Sequence, residues 1–201
     1  MSTTVSGLSE AQVEAASQVL ARAFHDDPLQ VHVFPDPDER RQRSPGQFAV
    51  MLRDACVFGE ALATDDLAGV SAWMPPEGSK APPQGAQSAM PTLGAIMGQE
   101  SLMRFGTALD YVSSVHGKTA PPRHWYLMIV GVDPLQQNNG RGAALLAPVI
   151  ALADAERLPI CLDTPQPRVR SFYERLGFRT LLETVDPKSG LRWWTYQRDP
   201  A

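Results

Sequence analysis

The sequence predicts an α/β fold built on a mixed sheet flanked by helices, and three observations carry that reading. Trp125 to Val132 is an unbroken apolar run of strand length, the kind buried on both faces at the centre of a sheet. A helical pattern over about 140–157 separates it from a second short apolar strand, Leu158 to Leu162, which makes that helix a crossover between parallel strands. Two further pairs, Glu60 to Thr64 with Leu67 to Met74 and Phe178 to Thr184 with Leu191 to Gln197, are close enough in sequence to be antiparallel.

In chain order, Ser9 stands three residues before Gln12, a capping-box spacing. Val13, Ala16, Leu20, Ala23 and Phe24 then recur at helical intervals, so a first helix is expected over about Glu10 to Phe24. His25-Asp26-Asp27-Pro28 ends it, because proline disfavours helix in the residue before it. Pro35 and Pro37 mark a loop, and Arg40 to Phe58 reads as a second helix. Asp65-Asp66 turns the first strand pair. Pro75 to Pro91, rich in Pro, Gly and Ser, is expected to be a surface loop, and about Thr92 to Val115 a helix. Pro148 lies inside the crossover helix, where it costs about 3 kcal/mol unless the helix kinks. Pro167 to Leu176 is a last helix, stopped by Gly177. No internal repeat is visible, and one domain spanning 1–201 is expected.

Composition removes several classes of function. The 201 residues are 43% hydrophobic, and the formal net charge of −4 argues against nucleic acid or an anionic membrane as partner. Glu39-Arg40-Arg41-Gln42-Arg43 is short enough to be a solvated helix face. No apolar stretch approaches the ~18 residues that cross a bilayer, and Met1 to Ser9 lacks the pattern of a signal peptide, so a cytoplasmic location is expected. Cys56 and Cys161 sit far apart in apolar surroundings, as buried reduced thiols do. His25, His32, His116 and His124 share no short spacing with either cysteine, so no metal site is indicated. Gly117-Lys118-Thr119 imitates the end of a Walker loop, but Val112 occupies the place of its first glycine.

The chemistry concentrates after residue 125. Strand, then Gln137-Asn138-Asn139-Gly140-Arg141-Gly142, then helix, gathers free backbone N–H groups at a positive helix end and suits an anion. At Gly140 and Gly142 a side chain would hold phosphate oxygens away from those donors, and Asn138 suits a position of positive φ. Turn preference alone also explains Asn and Gly here. The flanks decide. Val132-x-Pro134, Gln137-x-x-Gly140-x-Gly142 and Leu145 match the acetyl-CoA-binding motif of the GNAT N-acetyltransferases, and Phe172-Tyr173-Glu174-Arg175-Leu176-Gly177-Phe178 resembles that superfamily's F-Y-E-x-x-G-F block.

The likeness extends to the branch containing puromycin N-acetyltransferase. Leu162-Asp163-Thr164 through Pro167-Arg168 to Phe172-Tyr173 is collinear with that branch's L-E-T-S-x-P-R-N-x-P-F-Y. Ala23-Phe24 with Asp27-Pro28, and Ala72-Trp73 with Pro76-Glu77, also recur. Asp163 stands for Glu, Val169 for Asn, Ser171 for Pro, and Asn138-Asn139 for Gly and a cation, which removes one positive charge near the phosphates.

The resemblance implies a mostly antiparallel sheet, splayed at a central V-shaped opening, and direct transfer from acetyl-CoA to the amine of a small molecule. Backbone groups of Val130, Gly131 and Val132 would face the thioester. Gln137, Asn138, Asn139, Gly140, Arg141, Gly142 and Ala143 would hold the pyrophosphate. Tyr173 matches the family's general acid, though a packing aromatic also fits. The base is not singled out by the sequence: Glu60, His124 and Asp163 are candidates, Asp163 the best placed at a strand's C-terminal end, and a water chain to bulk solvent would also serve. Phe24 and Trp73 are expected to line the acceptor pocket, and core packing explains both equally well. Monomer and homodimer both stay open. A coenzyme-binding sensor without transfer, and a protein N-terminal or lysine acetyltransferase, are the competing readings.

Overall fold

The structure, a computed structural model, describes residues 3–76 and 84–201. Seven strands form one sheet in the order β1-β2-β3-β4-β5-β7-β6, where β1 is Val5–Gly7, β2 Glu60–Thr64, β3 Gly69–Met74, β4 Trp125–Val132, β5 Ile160–Thr164, β6 Arg179–Val185 and β7 Arg192–Arg198. Every pairing is antiparallel except β4 with β5, as the crossover argument requires.

Helices α1 (Val13–Ala23) and α3 (Pro37–Phe58) cover one face, packing Val13, Ala16, Leu20, Phe48 and Leu52 onto Ala61, Val70 and Ile129. The crossover helix α6 (Arg141–Glu156) and the short α7 (Arg170–Arg175) cover the other, with Leu145, Leu146, Val149 and Tyr173 against Trp125, Leu127 and Leu162. Each fully buried leucine of these two layers contributes about 2 kcal/mol by leaving water. Helices α2 (Pro28–Val33), α4 (Leu93–Met97) and α5 (Gln99–Thr119) make a third cluster around Phe34, Met97 and Phe105.

Several local expectations change. Asp27 caps a helix at Pro28 by accepting the Leu29 N–H at 2.9 Å, so the segment 28–33 is α2, not loop. Asp36 likewise accepts from Asp38 and Glu39, starting α3 three residues early with Pro37 at its first turn. Arg40 is not on a solvated face. It turns inward and donates to the Phe34 carbonyl, tying the α2–α3 corner together. Gly98, at φ +78°, divides the helix expected over 92–115 into α4 and α5. Helix α6 runs unbroken through Pro148, which lies on its exposed side. Both cysteines are free; Cys161 is buried and Cys56 half-buried.

Strand β4 is not buried evenly on both faces: Trp125, Leu127, Ile129 and Gly131 are buried and the residues between them half-buried. Two irregularities explain this. Ala72 pairs with Ile129 but Trp73 with Leu127, so Met128 is an extra residue without a partner on β3. On the other side β4 pairs with β5 only through Trp125, Leu127 and the residue between them, after which β5 continues with β7 alone. The sheet therefore opens between Met128–Val132 of β4 and the end of β5. The end of α1 closes on β4 opposite Gly131, where a Cβ would lie 2.7 Å from Leu20, 3.0 Å from Phe24 and 3.2 Å from Ala23. Gly131→Ala is expected to cost about 1–3 kcal/mol, read as a lower urea midpoint at an unchanged m-value.

Candidate active site

Two connected hollows meet at the opening of the sheet. A cleft of about 770 Å³ is walled by the end of β4, the loop before α6, the start of α6, α7 and the end of α1. A smaller cavity of about 170 Å³ lies between β4 and β5, lined by Leu127 to Val132, Leu162, Asp163 and Thr164. Ala23, Asp27, Val130, Gly131, Val132, Gln137 and Tyr173 belong to both walls, so they mark the junction.

The loop into α6 is built as an amide cradle. Asn138 and Gly140 both adopt the left-handed conformation, at φ +63° and +77°, as the sequence suggested for Asn138. The first backbone bond of α6 runs from Ala144 N–H to the Gly140 carbonyl at 3.0 Å, which leaves the amides of Arg141, Gly142 and Ala143 ahead of the ladder at the positive helix end. The two glycines serve different purposes. Nothing lies within 4 Å of a Cβ built on Gly140, where conformation sets the demand, whereas at Gly142 a Cβ would press on the Phe172 ring at 3.2 Å. Gln137 donates its side-chain N–H to the Val132 carbonyl at 3.0 Å, fastening loop to strand. The Arg141 guanidinium leans away to Asp66 at 2.8 Å. Of the predicted cradle residues, Asn139 alone lines neither hollow.

The positive charge that Asn138 and Asn139 lack is supplied from elsewhere. Arg168 and Arg175, at the ends of the α7 segment, line the cleft together with Arg22 and Arg141. Arg22 is held by Asp133 at 2.6 Å, which bridges α1 to the turn after β4. The spacing of arginines along the chain gave no sign of this convergence.

At the junction Tyr173 is 5% exposed and packs among Phe172, Phe178 and Tyr196, with ring centroids 5.1–5.6 Å away. Burial first, then Tyr196 and Asp27, push its phenol well above the usual range, so it holds its proton at any moderate pH. Asp27 is 7% exposed and forms no ion pair with a described residue. Burial pushes its carboxyl up to about 6, against the opposing N–H bonds of Leu29 and Gln30 and the charge of Arg168. In the sequence Asp27 stands in the helix-ending segment His25-Asp26-Asp27-Pro28 and in a recurring Asp-Pro pair, neither of which signals a chemical role.

Asp163 also lines the inner cavity, but it is not a free carboxylate. Its side chain is 1% exposed and engaged by Thr195 (2.6 Å), Tyr126 (3.2 Å) and His116 (2.7 Å). His124 joins this group through His116, and Glu60 lines neither hollow. Phe24 lines the inner cavity and packs tilted against Phe48, ring centroids 5.4 Å apart. Trp73 does not line it. Alternation along β3 puts Trp73 on the α6 face with Ser71, 0% exposed, with its N–H donated to Ser71 at 3.0 Å, so it is a core residue. A third hollow of about 340 Å³, lined by Phe58, Met74, Met90 and Met128 among others, lies past the bulge. Of the Pro75–Pro91 loop, residues 77–83 lie outside the described residues; its far end is fastened to α3 by Ala89 N–H on Asp54 at 2.6 Å. Among the described residues no group of metal-ligating side chains converges, and no helix is long and apolar enough to cross a membrane.

This geometry agrees with the comparisons. A curated relative, an uncharacterized N-acetyltransferase of Schizosaccharomyces pombe, is 28% identical over 170 residues, covering 81% of this chain and 69% of that one. A crystal structure from Corynebacterium glutamicum, described as histone acetyltransferase HPA2 and related acetyltransferase, superposes with a TM-score of 0.71 at 25% identity over 100% of this chain and 98% of its own. Arylalkylamine N-acetyltransferase 2 of Aedes aegypti shares the fold, with a TM-score of 0.62 at 14% identity and 100% coverage of both. The model of the acetyltransferase (GNAT) family matches residues 18–178, from α1 to the end of the α7 segment, and the chain belongs to that family of N-acetyltransferases.

Proposed function

We propose that this chain, as one domain over residues 1–201, transfers the acetyl group of acetyl-CoA to the amine of a small molecule while both are bound. The observation that carries the reading is the shared wall: a buried, unpaired carboxylate and a buried phenol line the one place where a cradle for an anion meets a small inner cavity. The coenzyme supplies an acetyl thioester; its diphosphate suits the amides of residues 138–143, and the arginines at the rim suit its remaining phosphate. The 770 Å³ cleft has room for a nucleotide with a long arm, and the 170 Å³ cavity for a small amine. The collinear blocks around Asp163 and Phe172 support a place near the puromycin N-acetyltransferase branch.

In this reading the freed edge of β4 turns a backbone N–H of Val130, Gly131 or Val132 toward the thioester oxygen, a contribution of about 3 kcal/mol as charge grows there. Asp27 accepts the proton released by the attacking nitrogen, and Tyr173 donates its hydroxyl proton to the departing sulfur. The two transfers support one another. A phenolate beside a charged Asp27 is opposed by both burial and repulsion, so Tyr173 gives up its proton most readily once Asp27 has become neutral, and the proton held by Asp27 then replaces it. Asp27 takes the role of base that the sequence suggested for Asp163, whose oxygens are already occupied.

A thiol-release assay with acetyl-CoA and a panel of primary alkylamines and arylalkylamines tests the proposal; coenzyme binding with no free thiol for any amine refutes it. Tyr173→Phe is expected to lower kcat by about 10²-fold at nearly unchanged coenzyme Kd, measured by calorimetry. At saturating amine, kcat is expected to fall tenfold per pH unit below about 6, and this limb disappears in Asp27→Asn together with about 10²-fold or more of the rate. The same shift works against stability. Because the folded Asp27 binds its proton more tightly than the unfolded one, it stabilises the fold below about pH 3.8, and that contribution is lost as pH rises through about 6. Asp27→Asn is therefore expected to be more stable than the parent by about 2–3 kcal/mol at pH 7.5, with no gain at pH 3.5, in urea titrations at the two pH values.

A further inference from the structure

The face of the sheet beneath α5 carries a hydrogen-bonded chain that the steps above leave unused. One oxygen of Asp163 on β5 accepts from Thr195 of β7; the other accepts from Tyr126 of β4 and lies 2.7 Å from Nδ1 of His116 on α5. Nε2 of His116 faces Nε2 of His124 at 2.9 Å, and Nδ1 of His124 lies 2.6 Å from the Pro121 carbonyl.

Donor counting fixes the protons. A carbonyl only accepts, so His124 carries a hydrogen on Nδ1, and a carboxylate oxygen likewise requires one on Nδ1 of His116. Two neutral rings so arranged would meet through two bare Nε2 lone pairs. The 2.9 Å contact needs one more proton between them, and the Asp163–His116–His124 chain holds one positive charge against one negative. Of the two rings, His116 is the one whose Nδ1 faces a carboxylate, whereas Nδ1 of His124 faces a neutral carbonyl, so the charge of the extra proton is best placed on His116.

Resting on the acetyl-transfer reading, we infer that His116 is a positioning residue for the acceptor: its imidazolium cancels the charge of Asp163, leaving Asp27 as the one carboxylate without an ion partner in the wall of the inner cavity. Asp163 and Asp27 are the only acids among the described residues of that wall. Asp27 also faces the cleft and Asp163 does not, so an ammonium drawn to Asp27 sits at the junction, whereas one drawn to Asp163 is held away from the cleft. The site then favours amines that carry a single cationic nitrogen at the reacting end, because only one carboxylate is open to receive it.

The test has two readouts. Long-range ¹H–¹⁵N spectra of the parent enzyme at pH 7 are expected to show both ring nitrogens of His116 protonated and His124 as its Nδ1–H tautomer; a neutral His116 overturns the proposal whatever the variants do. In the thiol-release assay, His116→Gln exposes Asp163 as a competing, unproductive site, so kcat and KM are expected to fall together by about fivefold with kcat/KM within twofold of the parent. Asp163→Asn/His116→Gln removes the competing charge and restores both. A lower kcat at unchanged KM, unrelieved in the double variant, is the mark of a merely structural role and overturns the proposal. If the parent turns over no amine, the acetyl-transfer reading fails and with it the positioning role, even where the spectra support the shared proton.

Discussion

The whole arrangement depends on how briefly β4 and β5 are paired. They share a short parallel ladder from Trp125 to Leu127, and then the sheet divides. Backbone amides and carbonyls of a central strand are strong hydrogen-bonding groups that cannot stay buried without partners, so an opening of this kind has to face solvent or a ligand. The rest of the fold supports the gap: β3 holds the far edge of β4, α1 closes on Gly131, and β7 takes over the pairing of β5. The strand that carries the exposed edge is thereby held by β3 along its far edge and by α1 on one face.

Around that gap, charge is distributed by burial more than by sequence proximity. Arginines come from α1, α6 and the α7 segment to one cleft, while the two carboxylates of the inner cavity are placed in opposite circumstances. Asp163 is surrounded by donors; Asp27 is buried with its own helix amides and no ion pair to a described residue, the Arg168 charge acting on it only from beyond contact. A carboxyl group in the second situation holds its proton more tightly, which is a cost to the fold and a property a base can use. The pair illustrates how two aspartates of like chemistry acquire different partners from their surroundings.

Much of this was legible in the chain. The strand over 125–132 and the parallel partner that follows the crossover helix came from apolar run length, and the left-handed turn at Asn138 from the residue's tolerance of positive φ. The GNAT fold was legible from two motifs at the right separation. Other features were hidden for physical reasons. Helix α2 is one and a half turns long, too short for periodicity, and only its Asp-Pro cap announced it. Trp73 was expected in the pocket from a recurring Ala-Trp pair that fits core packing equally well, and only the folded sheet shows that α6 covers its face. The joining of His116, His124 and Asp163 links an α5 turn, a loop and a strand, and no spacing rule covers such a meeting. Asp27 stood in view, but its importance lies in how little water reaches it, a quantity that belongs to the folded molecule.

The unpaired Met128 has an evolutionary side. Because it answers to no partner on β3, the strand accommodates it as a one-residue insertion, and its side chain reaches two neighbouring hollows at once, the chamber between β4 and β5 and the methionine-rich recess beyond. Exchanging a thioether there for a larger or smaller group would reshape both spaces while every ladder on either side kept its register. Lineages built on this scaffold can thus diversify what they accommodate at a single codon, leaving the amide cradle before α6 untouched.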